Sequence, residues 1–287
     1  MTTEPTAYRP RVSSDRFAHL MNKVPEVTLY FWLIKVLCTT VGETFADYLN
    51  ETLGFGLTNT TIVMGVAFLA FLALQFRARR YVPWIYWTTV VLISVFGTLI
   101  TDNLTDGHGV PTTTTTPIFA VLLAVTFLAW YLVERTLSIH TIRTPRREAF
   151  YWLAILFTFA LGTAGGDMLS EKLAFGYLNA VLIFAGAIAV VCVAHWGLRM
   201  GPILSFWLAY ILTRPLGASI GDYMSQPRHD GAAGLGTTVT SVIFLGAILA
   251  LVAYLTITRR DVTHDDEYDA ESVAAEAEAE AHHHHHH

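Results

Sequence analysis

Eight apolar runs of about twenty residues alternate with short polar connections along the chain: roughly 27–47, 59–78, 82–103, 117–137, 148–168, 178–198, 202–223 and 236–258. Each matches the ~20 residues an α-helix needs to cross the hydrocarbon core of a bilayer. Lipid offers backbone polar groups no partner, so only helices or closed barrels span it. A barrel would read as short alternating strands rather than continuous runs. The pattern predicts an all-α integral membrane protein of eight transmembrane helices.

A second pattern runs through the odd-numbered helices. An aromatic residue and Trp are followed, after nine residues, by Gly and, after four more, by Asp. The copies are Phe31-Trp32…Gly42…Asp47, Tyr86-Trp87…Gly97…Asp102, Tyr151-Trp152…Gly162…Asp167 and Phe206-Trp207…Gly217…Asp222. Self-similarity at a fixed period defines the building unit, here two helices repeated four times. A shift of 120 aligns Leu53, Phe55, Gly56 and Asn59 with Leu173, Phe175, Gly176 and Asn179. A shift of 125 aligns Thr112, Thr113, Thr115, Ile118 and Phe119 with Thr237, Thr238, Thr240, Ile243 and Phe244. The repeats therefore pair into two parallel pseudo-symmetric halves, 27–137 and 148–258, joined by a basic linker, 138–147. Parallel repeats occur among secondary transporters, which place their sites at the repeat interface.

Four tandem two-helix units, each starting on aromatic-Trp and finishing on Gly…Asp, resemble a bacterial family of four-repeat membrane-anchored proteins known as a repeat of unknown function. The resemblance covers about residues 23–258. It implies the eight-helix architecture and brings no activity, cofactor or catalytic residue.

Composition agrees with a bilayer location. The chain is 53% hydrophobic and 14% charged, where soluble domains carry about a quarter charged residues. Residues 1–26 lack the apolar core of a signal peptide and read as a cytoplasmic segment. Residues 259–281 form an acidic Ala/Glu-rich tail of disordered composition, and His282–His287 is a tag. Cys38 and Cys192 lie within apolar runs, as small hydrophobes rather than a disulfide framework.

Cytoplasmic loops are enriched in Lys and Arg. Arg9, Arg11, Arg16 and Lys23 precede the first run. Arg77, Arg79, Arg80, Arg135, Arg143, Arg146, Arg147, Arg199, Arg259 and Arg260 follow the even-numbered runs, whereas the odd connections carry Glu51, Asp106, Glu171 and Asp230, with Lys172 and Arg228 as their cations. Both termini are expected in the cytoplasm of a bacterial inner-membrane protein. Each Trp then starts its helix as an interfacial anchor, and each Asp lies about 22 Å further along, toward the outer side.

An ionisable residue in a bilayer costs about 2.5 to 3.5 kcal/mol at a helix centre, so the default expectation for it is function. Asp47, Asp102, Asp167 and Asp222, with Glu43 just after the first motif glycine, are the expected ion-binding residues. The bland alternative is helix ending, with Asn50, Thr105, Ser170 and Ser225 recurring three residues on. A carboxylate is disfavoured at the negative end of the helix dipole, which weakens that alternative. Gly42, Gly97, Gly162 and Gly217 are expected to let helices approach closely. Lys35 and Arg214 are candidate tuning residues. Lys35 is near enough to the Trp to snorkel, while Arg214 is deep and needs a carboxylate or helix-end carbonyls as partner. Thr98, Thr163, Asn59, Asn179, Thr115 and Thr240 are expected to add polar lining.

Five carboxylates face two cations within the helices, and such a cluster cannot ionise fully without a cation or protons. Hard oxygen donors suit Mg²⁺, Mn²⁺, Ca²⁺ or a monovalent ion over copper or zinc. No catalytic or phosphate-binding signature is present, and the basic residues are accounted for by topology rather than nucleic acid. The expected partners are the lipid bilayer, protons and a small cation, with a bound divalent cation as the only candidate cofactor. The sequence thus points to a proton-coupled transporter of a hard cation of the Mn or Mg type and not to an enzyme. A channel with an acidic mouth, or a sensor or assembly protein with architectural aspartates, are the alternatives.

Overall fold

A computed structural model describes residues 22–172 and 175–262. The expected segment before residue 22, the tail after residue 262 and the tag lie outside the described residues, as does Leu173 of the repeat alignment.

Among the described residues there are eight long helices and no strand. They are α1 (Leu29–Asp47), α2 (Leu57–Arg77), α3 (Pro83–Asp102), α4 (Thr112–Glu134), α5 (Pro145–Asp167), α6 (Tyr177–Gly197), α7 (Pro202–Ser225) and α8 (Thr237–Thr258). All eight are long and apolar enough to cross a membrane. The odd helices open on strong start signals: Thr28 and Thr144 accept from backbone N–H groups of the first turn. Pro83, Pro145 and Pro202 hold the first turn of α3, α5 and α7, where proline's missing donor costs nothing. The helices α2, α6 and α8 are each preceded by a glycine with φ near +80°: Gly56, Gly176 and Gly236, a conformation that other residues adopt only with strain.

At the motif aspartates three of the odd helices change from α to π geometry rather than breaking off. In the first three repeats a π-helical turn follows directly (Tyr48–Thr52, Asn103–Gly107 and Met168–Lys172), while α7 runs on to Ser225. Asp47 and Asp102 each close the α-helical part of their repeat and make no side-chain capping hydrogen bond to the turn that follows.

The odd helices form a closed inner square, α1 against α3, α3 against α5, α5 against α7 and α7 against α1. Each even helix packs outside on the inner helix of the following repeat: α2 on α3, α4 on α5, α6 on α7, and α8 back on α1. The two halves therefore meet along α3–α5 and α7–α1, with α8 closing the circle. Burial separates the two shells. In the inner helices between 50% and 61% of the apolar stretch is buried, against 6% to 28% in the outer ones.

Two layers of contacts repeat around this square. A Cβ on Gly42 would overlap Ser94, on Gly97 Phe159, on Gly162 Arg214 and on Gly217 Thr39. Each of these partners lies three residues before the motif glycine of the next repeat, and the fourth returns to the first. The same cycle appears at the other end of the helices, where the residue before each Trp meets the Trp of the next repeat. Phe31–Trp87, Tyr86–Trp152, Tyr151–Trp207 and Phe206–Trp32 have ring centroids 5.7, 5.6, 6.3 and 5.6 Å apart. Small residues admit close backbone approach, and edge and tilted aromatic pairs add to area burial. Both explain why the motif spacing is fixed.

Candidate functional site

At the Asp end of the square, one cavity of about 360 Å³ collects Glu43, Asp47, Asp102, Asp167 and Asp222, together with Asn50, Glu51, Thr105, Asp106, Thr112 and Gln226. All five expected ion-binding residues thus line one space, contributed by all four inner helices. Glu43 and Asp222 are buried, and Asp47, Asp102 and Asp167 half-buried. Glu51, Asp106, Gly109 and Pro111 on the rim are exposed, so the cavity opens to the surface at this end.

Behind the lining residue Glu43 lies Arg214, which has 0% exposure. The position after the motif glycine holds Glu43, Thr98, Thr163 and Ala218 in the four repeats. Alanine in the fourth leaves room, and Arg214 from the same helix fills the axis. Its Nη1 donates to the Thr39 carbonyl at 2.8 Å and its Nε to the Phe159 carbonyl at 3.3 Å. Its Nη2 donates to Glu43 Oε2 at 3.3 Å, to Thr163 Oγ1 at 2.6 Å and to Thr98 Oγ1. Thr98 also donates to Glu43 at 3.3 Å. The guanidinium therefore ties α7 to α1, α3 and α5. A buried ion pair is tolerable only when further hydrogen bonds satisfy both partners, and the two threonines and two carbonyls do this. The expectation that Arg214 pairs with a carboxylate holds, with Glu43 as partner.

Lys35 does not snorkel. It has 0% exposure, donates to Thr213 Oγ1 at 3.3 Å, and lies 4.1 and 4.7 Å from the ring centroids of Tyr210 and Phe159. Lys35 lies one turn past the buried Phe31, on the inward face of α1, and the aromatic faces hold the cation there.

Three sequence expectations are corrected. Trp87, Trp152 and Trp207 are buried and Trp32 half-buried, so these residues pack the closed aromatic cycle instead of anchoring in lipid headgroups. The indole N–H of Trp207 donates to the Leu137 carbonyl and that of Trp87 to the Tyr81 hydroxyl. Asn59 and Asn179 are exposed and bond to the Phe55 and Phe175 carbonyls, fixing their own helix starts. Thr115 and Thr240 bond within their own helices. None of these four lines the acidic cavity; the threonines that do are Thr105 and Thr112.

Sequence reasoning missed a brace at the Trp end. Lys23 donates to the buried Glu148 and to the Phe76 carbonyl, while Gln75 donates to Glu148 Oε1 at 3.2 Å and to the Lys23 carbonyl. Nearby, the Tyr81 hydroxyl donates to Asp261 Oδ2 at 2.5 Å, and the Glu26 N–H to the Asp261 carbonyl. A Glu at the start of an otherwise apolar helix was the available signal for Glu148. Lys23 had been absorbed into loop charge.

Metal coordination demands closer convergence than this cavity shows. Among the described residues, no three Asp, Glu, His or Cys side chains are placed to hold one metal ion. The carboxylates share a space, not a single point.

The family model described as a Repeat of Unknown Function (DUF347) matches the chain four times, over residues 30–81, 85–136, 150–200 and 205–261. Each match covers one inner helix and the outer helix that follows it. No curated protein matches the chain, and no solved structure does.

Proposed function

We propose, for a chain that belongs to the family of the Repeat of Unknown Function (DUF347), a secondary transporter that takes a cation among the carboxylates of its inner square and exchanges it for protons. The observation that carries this reading is the single cavity lined by a carboxylate from every repeat and open at one end, with Arg214 buried against its Glu43. Cytoplasmic arginine enrichment supports the Trp end as the inner side, so that the cavity faces outward in a bacterial cytoplasmic membrane.

A cation entering over Glu51 and Asp106 exchanges hydration for carboxylate oxygens, and its charge offsets the mutual repulsion of the cluster. When it leaves, protons serve the same purpose, which couples the two fluxes. Arg214 keeps Glu43 at the floor and presents a fixed positive charge to anything moving further along the axis. Below it, Lys35 and the aromatic cycle occupy the space between the helices. A continuous cation channel fits this arrangement poorly, because a through-path would meet two buried cations and eight rings. Alternating access, with the Trp end opening as the Asp end closes, fits better.

Flux into liposomes containing the purified protein tests the reading, with Mn²⁺, Mg²⁺, Na⁺ and organic amines supplied under an imposed proton gradient and internal pH followed by a dye. Saturable cation flux with opposite proton movement is expected, and Asp102→Asn is expected to lower it on the order of tenfold or more. Absence of proton-linked flux with every cation, in both gradient directions, overturns the transporter reading.

A further inference from the structure

We infer that the cargo of this cavity is a linear polyamine, held with successive ammonium groups at successive tiers of carboxylates. The inference rests on the transport reading only for the word cargo; as a binding site it stands on the geometry.

The acidic positions are stacked along the axis as well as arrayed around it. Glu43, Asp47 and Glu51 are four residues apart on α1 and its π turn, Asp102 and Asp106 repeat the interval on α3 and its π turn, and all five line the cavity. Four residues of α-helix rise about 6 Å and four of the wider π turn somewhat less, so three tiers extend over about 10 Å. A compact metal ion needs its oxygen ligands converging within about 2.0–2.6 Å of one centre, and no such group of three exists among the described residues. An extended polycation has the opposite requirement, negative charge spread over a length. With bonds of about 1.5 Å, four methylenes separate two amines by about one helical turn. The cavity, at about 360 Å³, lies in the range of small-molecule pockets, about 300–1,000 Å³.

A second observation points to a ligand with N–H donors. Thr112 is buried with 6% exposure, lines the cavity, and its Oγ1 has no hydrogen-bond partner. Buried hydroxyls are normally satisfied. This one sits at the first residue of α4, among the residues that line the cavity, where an ammonium group seated between tiers would donate to it. Arg214, buried against Glu43, then sets the end of the polycation, since its guanidinium repels a further ammonium below that tier.

The test is binding to the full-length purified protein in detergent, read by thermal stabilisation and titration calorimetry. The probes are spermidine, putrescine, a monoamine of equal length, MnCl₂ and MgCl₂, all at matched ionic strength. Spermidine is expected to bind most tightly, putrescine more weakly and the monoamine least. Removing the rim tier with the exposed pair Glu51→Gln and Asp106→Asn should erase the preference for spermidine over putrescine. Thr112→Val should weaken spermidine binding by about threefold to tenfold, the value of one hydrogen bond. Stronger stabilisation by Mn²⁺ or Mg²⁺ than by any amine, or equal effects of monoamine and spermidine, overturns the proposal. So does a rim pair variant that keeps the spermidine preference while its melting temperature equals the parent's. Counterflow of labelled putrescine separates the two readings. Amine binding without flux removes the transporter and leaves the site, whereas metal flux without amine binding does the reverse.

Discussion

At the Trp end of the inner helices eight aromatic rings meet in a closed cycle, while at the Asp end the same four helices hold five carboxylates around an open cavity. Both ends come from one repeated motif. The difference is chemical: apolar rings gain by touching, so four copies close the axis, whereas like charges cannot meet without a counter-ion and keep it open. Between the ends lies the layer in which the repeats stop being equivalent. There Glu43 and Arg214 replace the residues found in the other copies and partly neutralise one another. Repetition gives the frame, and the departures from repetition give the boundary between shut and open.

The most severe way to break this frame is at the motif glycines. Gly217→Leu would drive a side chain into Thr39 of α1, where even a Cβ overlaps, and no flexible neighbour can yield without separating α7 from α1. We expect no monodisperse folded protein in detergent, a loss of more than about 3 kcal/mol. Gly186→Leu, in the outer helix α6 with nothing within 4 Å, should change stability by under about 1 kcal/mol. Size-exclusion profiles and melting curves of the two variants decide the matter. Equal behaviour would mean that the glycine layer is not what holds the square together.

Next in size are paired variants that oppose the two ends. Glu148→Ala at the Trp end leaves Lys23 buried without its carboxylate, which costs about 3–5 kcal/mol in comparable buried pairs. Replacing both, Lys23→Met with Glu148→Leu, should recover most of that loss. At the Asp end, Asp102→Asn removes a charge from a like-charged cluster. Its stability should stay level or rise, by up to about 1 kcal/mol, while function falls. A destabilised Asp102→Asn protein would show that the carboxylates are architectural.

How far these contrasts were visible in the sequence follows from their range. Helix number, helix limits and the register of the glycines and aspartates are local periodic features, and they were legible. The shared depth of the four carboxylates followed from their equal distance to Trp. The closed cycle was half legible. The residues three before each glycine, Thr39, Ser94, Phe159 and Arg214, could be tabulated by register, but only the packing shows that each belongs to the preceding repeat's glycine. The tryptophans were misplaced because interfacial and buried indoles leave the same trace at a helix start. Lys35 was misplaced for a similar reason: nearness to a helix end says nothing about which face is inward. The brace of Lys23, Gln75 and Glu148 spans residues over a hundred positions apart, and no local pattern encodes it.

The smallest expected effect concerns Asp261, at the edge of the Trp end. Burial pushes its carboxyl above the usual carboxylate range, against the hydrogen bond from Tyr81, while burial and the neighbouring Asp261 push the Tyr81 hydroxyl up as well. The folded state therefore binds the Asp261 proton more tightly than the unfolded chain does. The stability this gives is full below the unfolded carboxylate range and is lost as pH rises through the raised folded value. At neutral pH the buried charge is a cost. Asp261→Asn keeps an acceptor for Tyr81 and removes the titration. It should match the parent near pH 4 and exceed it near pH 7 by under about 1 kcal/mol, on the order of 2–4 °C in melting temperature. Melting curves of both proteins between pH 4 and pH 8 check this, with parallel curves as the result that would remove Asp261 as a titrating group. A flattened curve in the variant would mark the sealed end as pH-responsive in its own right, apart from the carboxylates of the open end.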